Sequence, residues 1–135
     1  MANRREFLDP AYVFLVLRVV AGFLFACHGA QKLLGAFGGM GGHGATAHFG
    51  TEPWLAGVLE LIGGTLIMVG LLTRPVALIL CGEMAIAYFQ VHARRGPLPI
   101  QNGGDAAVLF CFLFLYLAGV GAGPFSVDGM RRGRA

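Results

Sequence analysis

Charge is what this chain has least of: Asp, Glu, Lys and Arg make up 13% of its 135 residues. A water-soluble domain normally has about twice that share to cover its surface. Proline is absent from the apolar runs; all six prolines fall between or at the start of them. The three cysteines, Cys27, Cys81 and Cys111, form no Cys-x-x-Cys, so a thiol-exchange motif is excluded. There is no dinucleotide fingerprint, and the glycines of Gly35 to Glu52 lack the Gly-Lys-Ser/Thr ending of a phosphate loop. The net charge of +3 is not laid out as a basic stripe with interleaved aromatics, which excludes a nucleic-acid surface.

What is present is apolar. The mean hydropathy is +0.70, and 56% of residues are hydrophobic, values that place the chain in a lipid bilayer. Proline is tolerated in a first helical turn and penalised in a helix interior. Cutting at the prolines predicts helices at about 11–34, 54–73, 75–93 and 105–122, each near the roughly 20 residues of a membrane span. The expected fold is all-α: a membrane four-helix bundle forming one domain over residues 1–135. Thr51 is placed to cap the second helix, with Pro53 in its first turn. Asp105 falls in the first turn of the fourth, where a carboxylate suits the helix dipole. The loop between helices 1 and 2 is expected to be flexible, with a short interfacial turn at about 45–49.

The basic residues set an expected topology. Arg4, Arg5, Arg74, Arg131, Arg132 and Arg134 fall on one side, against Lys32, Arg94 and Arg95 on the other. The positive-inside rule then puts both termini in the cytoplasm of a multi-pass inner-membrane protein. Arg4-Arg5-x-Phe7-Leu8 resembles an export signal, but the apolar run behind it is too long and shows no small-x-small cleavage site. It reads as the basic flank of a retained helix.

Within the spans lie a few charges, each expensive there and expected to face a partner or a polar cavity. Arg18 sits deep in the first helix, which ends on His28, Gln31 and Lys32; the later spans hold Glu60, Glu83 and Asp105. Gly57, Gly63 and Gly64 share the face of Glu60, which suits a close helix crossing. Taking each span's middle as the midplane puts Arg18 about 6 Å and Glu83 about 2 Å to the inner side. Glu60 then lies about 4 Å to the outer side, with His28 and Lys32 further out. Arg18–Glu83 is the expected ion pair, with Glu60 in reach of Arg18 or of His28 and Lys32. Two readings stay open. Either the charges only pin helix register, or they line a cavity for a ligand, a proton or a quinone head group.

The histidines His28, His43, His48 and His92 all fall toward the outer side. Their spacing matches no metal motif, so no metal site is expected, and these four are only weak candidates for one. His28 and His92 at similar depth are a conceivable axial haem pair. Cys27 and Cys111 are the cysteines expected at one depth.

Short motifs run in order along the chain. They begin with Arg18, Gly22, His28-Gly29 and Lys32-Leu33, then Phe37-Gly38-Gly39 and Thr46-Ala47. Glu60, Gly63-Gly64, Gly70-Leu71-Leu72-Thr73-Arg74 and His92 follow. Gly103-Gly104-Asp105, Gly121, Gly123, Ser126 and Asp128-Gly129 close the series. Their order is similar to that of the DoxX family of small four-helix membrane proteins. Where members commonly carry Glu and an aromatic, this chain has Asp105 and Ala106. The resemblance implies a membrane subunit akin to the small subunit of a thiosulfate:quinone oxidoreductase, or a membrane partner in thiol and oxidative-stress redox complexes. By position it carries over Arg18, His28, Lys32, Glu60 and Asp105 as a polar site. The function expected is a redox-associated subunit in the bilayer, linked to a quinone and to a redox partner protein, in a homo- or hetero-oligomer. The alternative is a non-enzymatic assembly subunit or a small-solute transporter.

Overall fold

The computed structural model describes residues 8–133; Arg4, Arg5 and Arg134, used above for topology, lie outside them. Helix α1 spans Pro10–Leu34. Asp9 caps it, its carboxylate accepting from Ala11 N at 2.8 Å, and Gly35 stops it in the left-handed region. The connection to α2 contains a 3₁₀ turn, Ala36–Gly38, and an isolated bridge between Met40 and Ala45. It folds back so that Ala47 N donates to Lys32 O at the end of α1. Residues 46–48 are irregular, and the turn lies just beyond, where Thr51 N donates to His48 O. Among the described residues there is no strand.

Helix α2 spans Glu52–Val69, and α3 spans Thr73–Arg95. Thr51 stands at the N-cap of α2, but its hydroxyl donates to His48 O at 2.6 Å and caps nothing. α2 ends four residues earlier than the prolines predict, and α3 starts two earlier. Gly70 (φ 72°) and Leu72 (φ 51°) break the helix, and Asp128 holds the first free N–H groups of α3. Pro75 simply occupies the first turn. A helical turn, Pro99–Asn102, leads to α4, Asp105–Val120, and a short α5, Val127–Arg132, follows. The serine hydroxyl of Ser126 caps α5, accepting from Gly129 N at 2.9 Å.

Helices α1, α2 and α3 are long and apolar enough to cross a membrane. α4 is apolar but has 16 residues, about 24 Å of helix against a hydrocarbon core of about 30 Å. Large apolar side chains are exposed along all four, Val16, Phe23, Ile62, Ile79, Leu109 and Phe112 among them. In water such a surface would drive aggregation; in lipid it is the expected exterior.

Glycine sets the α1–α2 crossing. A Cβ on Gly29 would stand 2.3 Å from Leu61 N, and one on Gly22 2.5 Å from Met68 N. From the other side, a Cβ on Gly64 would stand 2.5 Å from Ala26 N. The pairs Gly22/Gly29 and Gly57/Gly64 are each seven residues apart, two turns on one face. The antiparallel backbones therefore touch over two turns, the packing that small residues permit in lipid. Phe25 points from α1 to α4, meeting Phe110 at a tilt and Phe114 edge-to-face, at centroid distances of 5.3 and 4.8 Å. Ile67, Ala77, Leu80, Met84, Phe114 and Leu117 complete the buried core.

Replacing Gly29 or Gly64 by Ala should lower thermal stability in detergent by about 1–3 kcal/mol, the usual cost of overpacking. Gly82→Ala, with nothing within 4 Å of the new methyl, should leave the melting temperature unchanged or slightly higher. Unfolding curves of the three variants check this.

Candidate functional site

The in-span charges fall into two groups at opposite ends of the α1–α2 crossing. At one end is Arg18, 1% exposed. It makes no ion pair with Glu83. Its Nη1 donates to Ile67 O at 2.7 Å and Met68 O at 2.6 Å, and its Nη2 donates to Phe125 O at 2.7 Å. The C-terminal carbonyls of a helix lack intrahelical donors and carry the negative end of its dipole. Those of α2 thus replace the carboxylate expected as counter-ion. Gly70 makes this possible, because a Cβ there would lie 2.4 Å from Ser126 Cβ and 2.8 Å from Arg18 Nη1.

Around Arg18 the same end is tied by two further polar side chains. Asp128 accepts from Leu72 N and Thr73 N, both at 2.9 Å, and so caps α3 from a position 55 residues away in sequence. Arg74 donates to Gly119 O at 2.5 Å and, more weakly, to Ala118 O and Val120 O, capping α4. Arg18, Asp128 and Arg74 each bind the loose end of a different helix.

At the other end the chain gathers His28, Lys32, Glu60 and Glu83. Lys32 Nζ donates to Glu60 Oε1 at 2.5 Å, and Glu60 is 3% exposed. Glu60 also lies within electrostatic reach of His28, and Glu83 of both Glu60 and Lys32. Glu60 Oε2 and both oxygens of Glu83 are buried without a hydrogen-bond partner. Burying a polar atom unpaired costs about 1–3 kcal/mol, more for a charge, so three such atoms together are an arrangement with acceptor capacity to spare. Glu60 lies in a π turn, Leu59–Gly63, inside α2, a distortion found mostly at functional positions. Gly63 faces Leu80 of α3 there. The wide turn thus shifts the face of α2 between its contacts with α1 and α3.

Asp105 stands apart from both groups. It is exposed in the first turn of α4. Its neighbour Asn102 is buried, with Nδ2 donating to Gly96 O at 3.0 Å and Tyr88 Oη at 3.2 Å, and Oδ1 accepting from Gly104 N at 2.8 Å. His92 Nδ1 approaches Asn102 O at 3.3 Å, a contact in which the ring nitrogen donates. His28, His43 and His48 are exposed. Among the described residues no three His, Cys, Asp or Glu side chains come together as a metal cluster. The close cysteines are Cys81 and Cys111, Sγ to Sγ 3.7 Å, in place of Cys27 and Cys111. Cys27 is two residues from Phe25, about 200° around α1 at 100° per residue, so it turns away from α4 when Phe25 turns toward it.

Asn102, Tyr88, Asp128 and the Cys81–Cys111 contact were missed by sequence reasoning. For Asp128 a signal existed, since Ser126-x-Asp128-Gly129 reads as a helix start. Nothing in the chain tells that Asp128 also serves α3.

Two comparisons with known proteins bear on this arrangement. A protein of Haemophilus influenzae with no characterised function is 44% identical over 132 residues, covering 93% of this chain and 95% of its own length. A protein of Bacillus subtilis, CatD, provisionally named an oxidoreductase, is 27% identical over 124 residues, 88% of this chain and 90% of its own. No solved structure matches the chain.

Burial alone would raise the Asp128 carboxyl, but the hydrogen bonds from Thr73 and Leu72 and the charge of Arg132 outweigh it and hold it below its ordinary value. A depressed carboxylate stabilises the fold above its unfolded pKa, about 3.9, and loses that contribution as pH falls through the folded value. Asp128→Ala should therefore cost about 0.5–2 kcal/mol at neutral pH, as for a lost helix cap. The gap from wild type should close on acidification, which melts at several pH values will show. In a second check, a membrane-permeant thiol oxidant should link Cys81 to Cys111 and leave Cys27 free to alkylate, read by peptide mapping.

The DoxX family matches residues 13–93, three-fifths of the chain and all of α1 to α3 but their outermost turns; the protein is an integral membrane member of the DoxX family.

Proposed function

We propose that this chain is the membrane subunit of a quinone-linked oxidoreductase system. The polar cluster of Lys32, Glu60 and Glu83, contributed by α1, α2 and α3, takes the quinone head group and moves its protons. The observation that carries this reading is the set of three buried, unpartnered carboxylate oxygens beside one ammonium. Reducing a quinone adds two protons at its two oxygens. Lys32 supplies a donor to a quinone carbonyl, and a protonated Glu60 or Glu83 supplies a proton across a short hydrogen bond. His28, exposed at the outer edge of the cluster, connects it to bulk water. The glutamates also give a reason for the site's place in the span, where a quinone dissolved in lipid reaches it sideways.

The reading includes the wider topology. α1 to α4 act as a four-helix bundle in the inner membrane with both termini cytoplasmic, the whole chain forming one domain. In this reading electrons come from a partner protein, since the sequence carries neither a Cys-x-x-Cys nor a dinucleotide fingerprint. The provisional name of the Bacillus subtilis relative supports an oxidoreductase context. The carbonyl ligation of Arg18 favours a purely structural role for that residue, so it is left out of the site, as is the remote Asp105. An assembly subunit or a small-solute transporter is the competing reading, in which Glu60 and Lys32 only hold α1 to α2.

Glu60→Gln keeps the shape and one hydrogen bond to Lys32 but removes the charge. Purified variant and wild type should melt within a few degrees of each other, while decylubiquinone binding weakens about tenfold, the value of a charge-assisted hydrogen bond. Glu83→Gln should act in the same direction. Equal quinone affinity in all three proteins, or none in any, would assign the cluster to assembly.

A further inference from the structure

The end of the molecule tied by Arg18 also carries a cleft, and nothing in the quinone reading uses it. It has a volume of about 320 Å³ and lies between the α2–α3 turn, the end of α4 and α5. Its lining holds three arginines, Arg74, Arg131 and Arg132, against one carboxylate, Asp128. Arg74 is engaged by the carbonyls of α4, whereas Arg131 and Arg132 are exposed and make no salt bridge among the described residues. Asp128 in turn is occupied by the N–H groups of Leu72 and Thr73. The cleft is therefore left with an excess of positive charge.

A second observation points to a ligand. Thr73 lines the cleft, is fully buried, and its hydroxyl lacks a hydrogen-bond partner; it lies beside Asp128 without reaching bonding geometry. A hydroxyl beside a carboxylate and two free guanidinium groups is a donor set for an oxyanion. Part of the lining is apolar: Leu72, which is 54% exposed, and Pro75 stand beside the charged groups. An oxyanion bound here would have hydrocarbon beside it. That combination fits a phosphodiester with acyl chains attached better than a free ion. Basic pockets between spans commonly hold such head groups.

We propose that the cleft lined by Thr73, Arg74, Arg131 and Arg132 binds the phosphate of an anionic phospholipid head group, with its acyl chains leaving past Leu72 and Pro75. The site lies at the opposite end of the α1–α2 crossing from the Lys32–Glu60 pair, and it stands whether or not the quinone reading does. The bound lipid bridges α5 to the α2–α3 turn and so reinforces the contact that Asp128 makes.

The test titrates dioctanoyl phosphatidylglycerol, dioctanoyl phosphatidylcholine and inorganic phosphate into the purified protein in neutral detergent, following the melting temperature. Phosphatidylglycerol should raise it saturably and phosphatidylcholine should not. The double substitution Arg131→Gln and Arg132→Gln should weaken the apparent affinity by roughly 10- to 30-fold, since each arginine near an anionic head group contributes a factor of about five. The charge-matched control Arg94→Gln with Arg95→Gln, at the other end of the molecule, should bind as wild type does. Thr73→Val, which keeps shape and charge, should also weaken binding, and it decides the question if the double variant fails to fold. Equal response to both lipids, equal loss in the two double variants, or unchanged affinity in Thr73→Val would overturn the proposal. Inorganic phosphate matching phosphatidylglycerol at equal concentration would overturn the lipid source and assign the cleft to a soluble anion.

Discussion

A buried guanidinium held by backbone carbonyls is the constraint on which the rest of the structure depends. An unpaired charge in hydrocarbon costs several kcal/mol at least, so the Arg18 guanidinium must find partners inside the fold. Its three carbonyl partners come from the end of α2 and from the segment before α5. Satisfying Arg18 therefore forces α2 to stop where it does and brings the C-terminal segment back over the α2–α3 turn. Once there, Asp128 caps α3, and the cleft at Thr73 is formed. One residue in the first helix thus fixes the position of a segment more than 100 residues later.

The same satisfaction is what separates the two ends chemically. Had Arg18 paired with Glu83, the in-span charges would have neutralised one another and left little for a ligand. With Arg18 served by carbonyls, Lys32 at the other end pairs with Glu60 and leaves Glu83 without a partner among the described residues. The glycine crossing holds this imbalance in place. Gly29 and Gly57 bring α1 and α2 into backbone contact one turn from Lys32 and Glu60, so the pair cannot drift apart to let water in.

Much of this was readable in the chain and some was not, for definable reasons. The apolar runs and the prolines between them carry the helices, and the spacing of Gly57 and Gly64 about Glu60 carries the crossing. Lys32 does meet Glu60, a contact the sequence allows because the two residues fall in the same half of the span. Arg18 reaches the end of α2 while Glu83 groups with Glu60 and Lys32 at the other end of the crossing, so the assumed midplanes misplaced the pair. Depth also fails where azimuth decides: Cys27 turns away from α4, which leaves Cys81 as the partner of Cys111. Backbone carbonyls leave no mark in a sequence, so the ligands of Arg18 were invisible. The π turn at Glu60 was equally so, since it arises from how α2 meets two neighbours. Asn102 carries no signal of its own in the chain, and only the packed structure makes it a buried hub.

The central claim is that Glu60 and Glu83, and not Arg18, face a ligand that takes up protons. Infrared difference spectra of reconstituted protein, recorded as a bound quinone is reduced, read it directly. The account predicts a carboxyl C=O stretch that changes on reduction, moves in heavy-labelled glutamate, and is lost or displaced in Glu60→Gln. A quinone reduced at the protein with no change in any carboxyl band would contradict it.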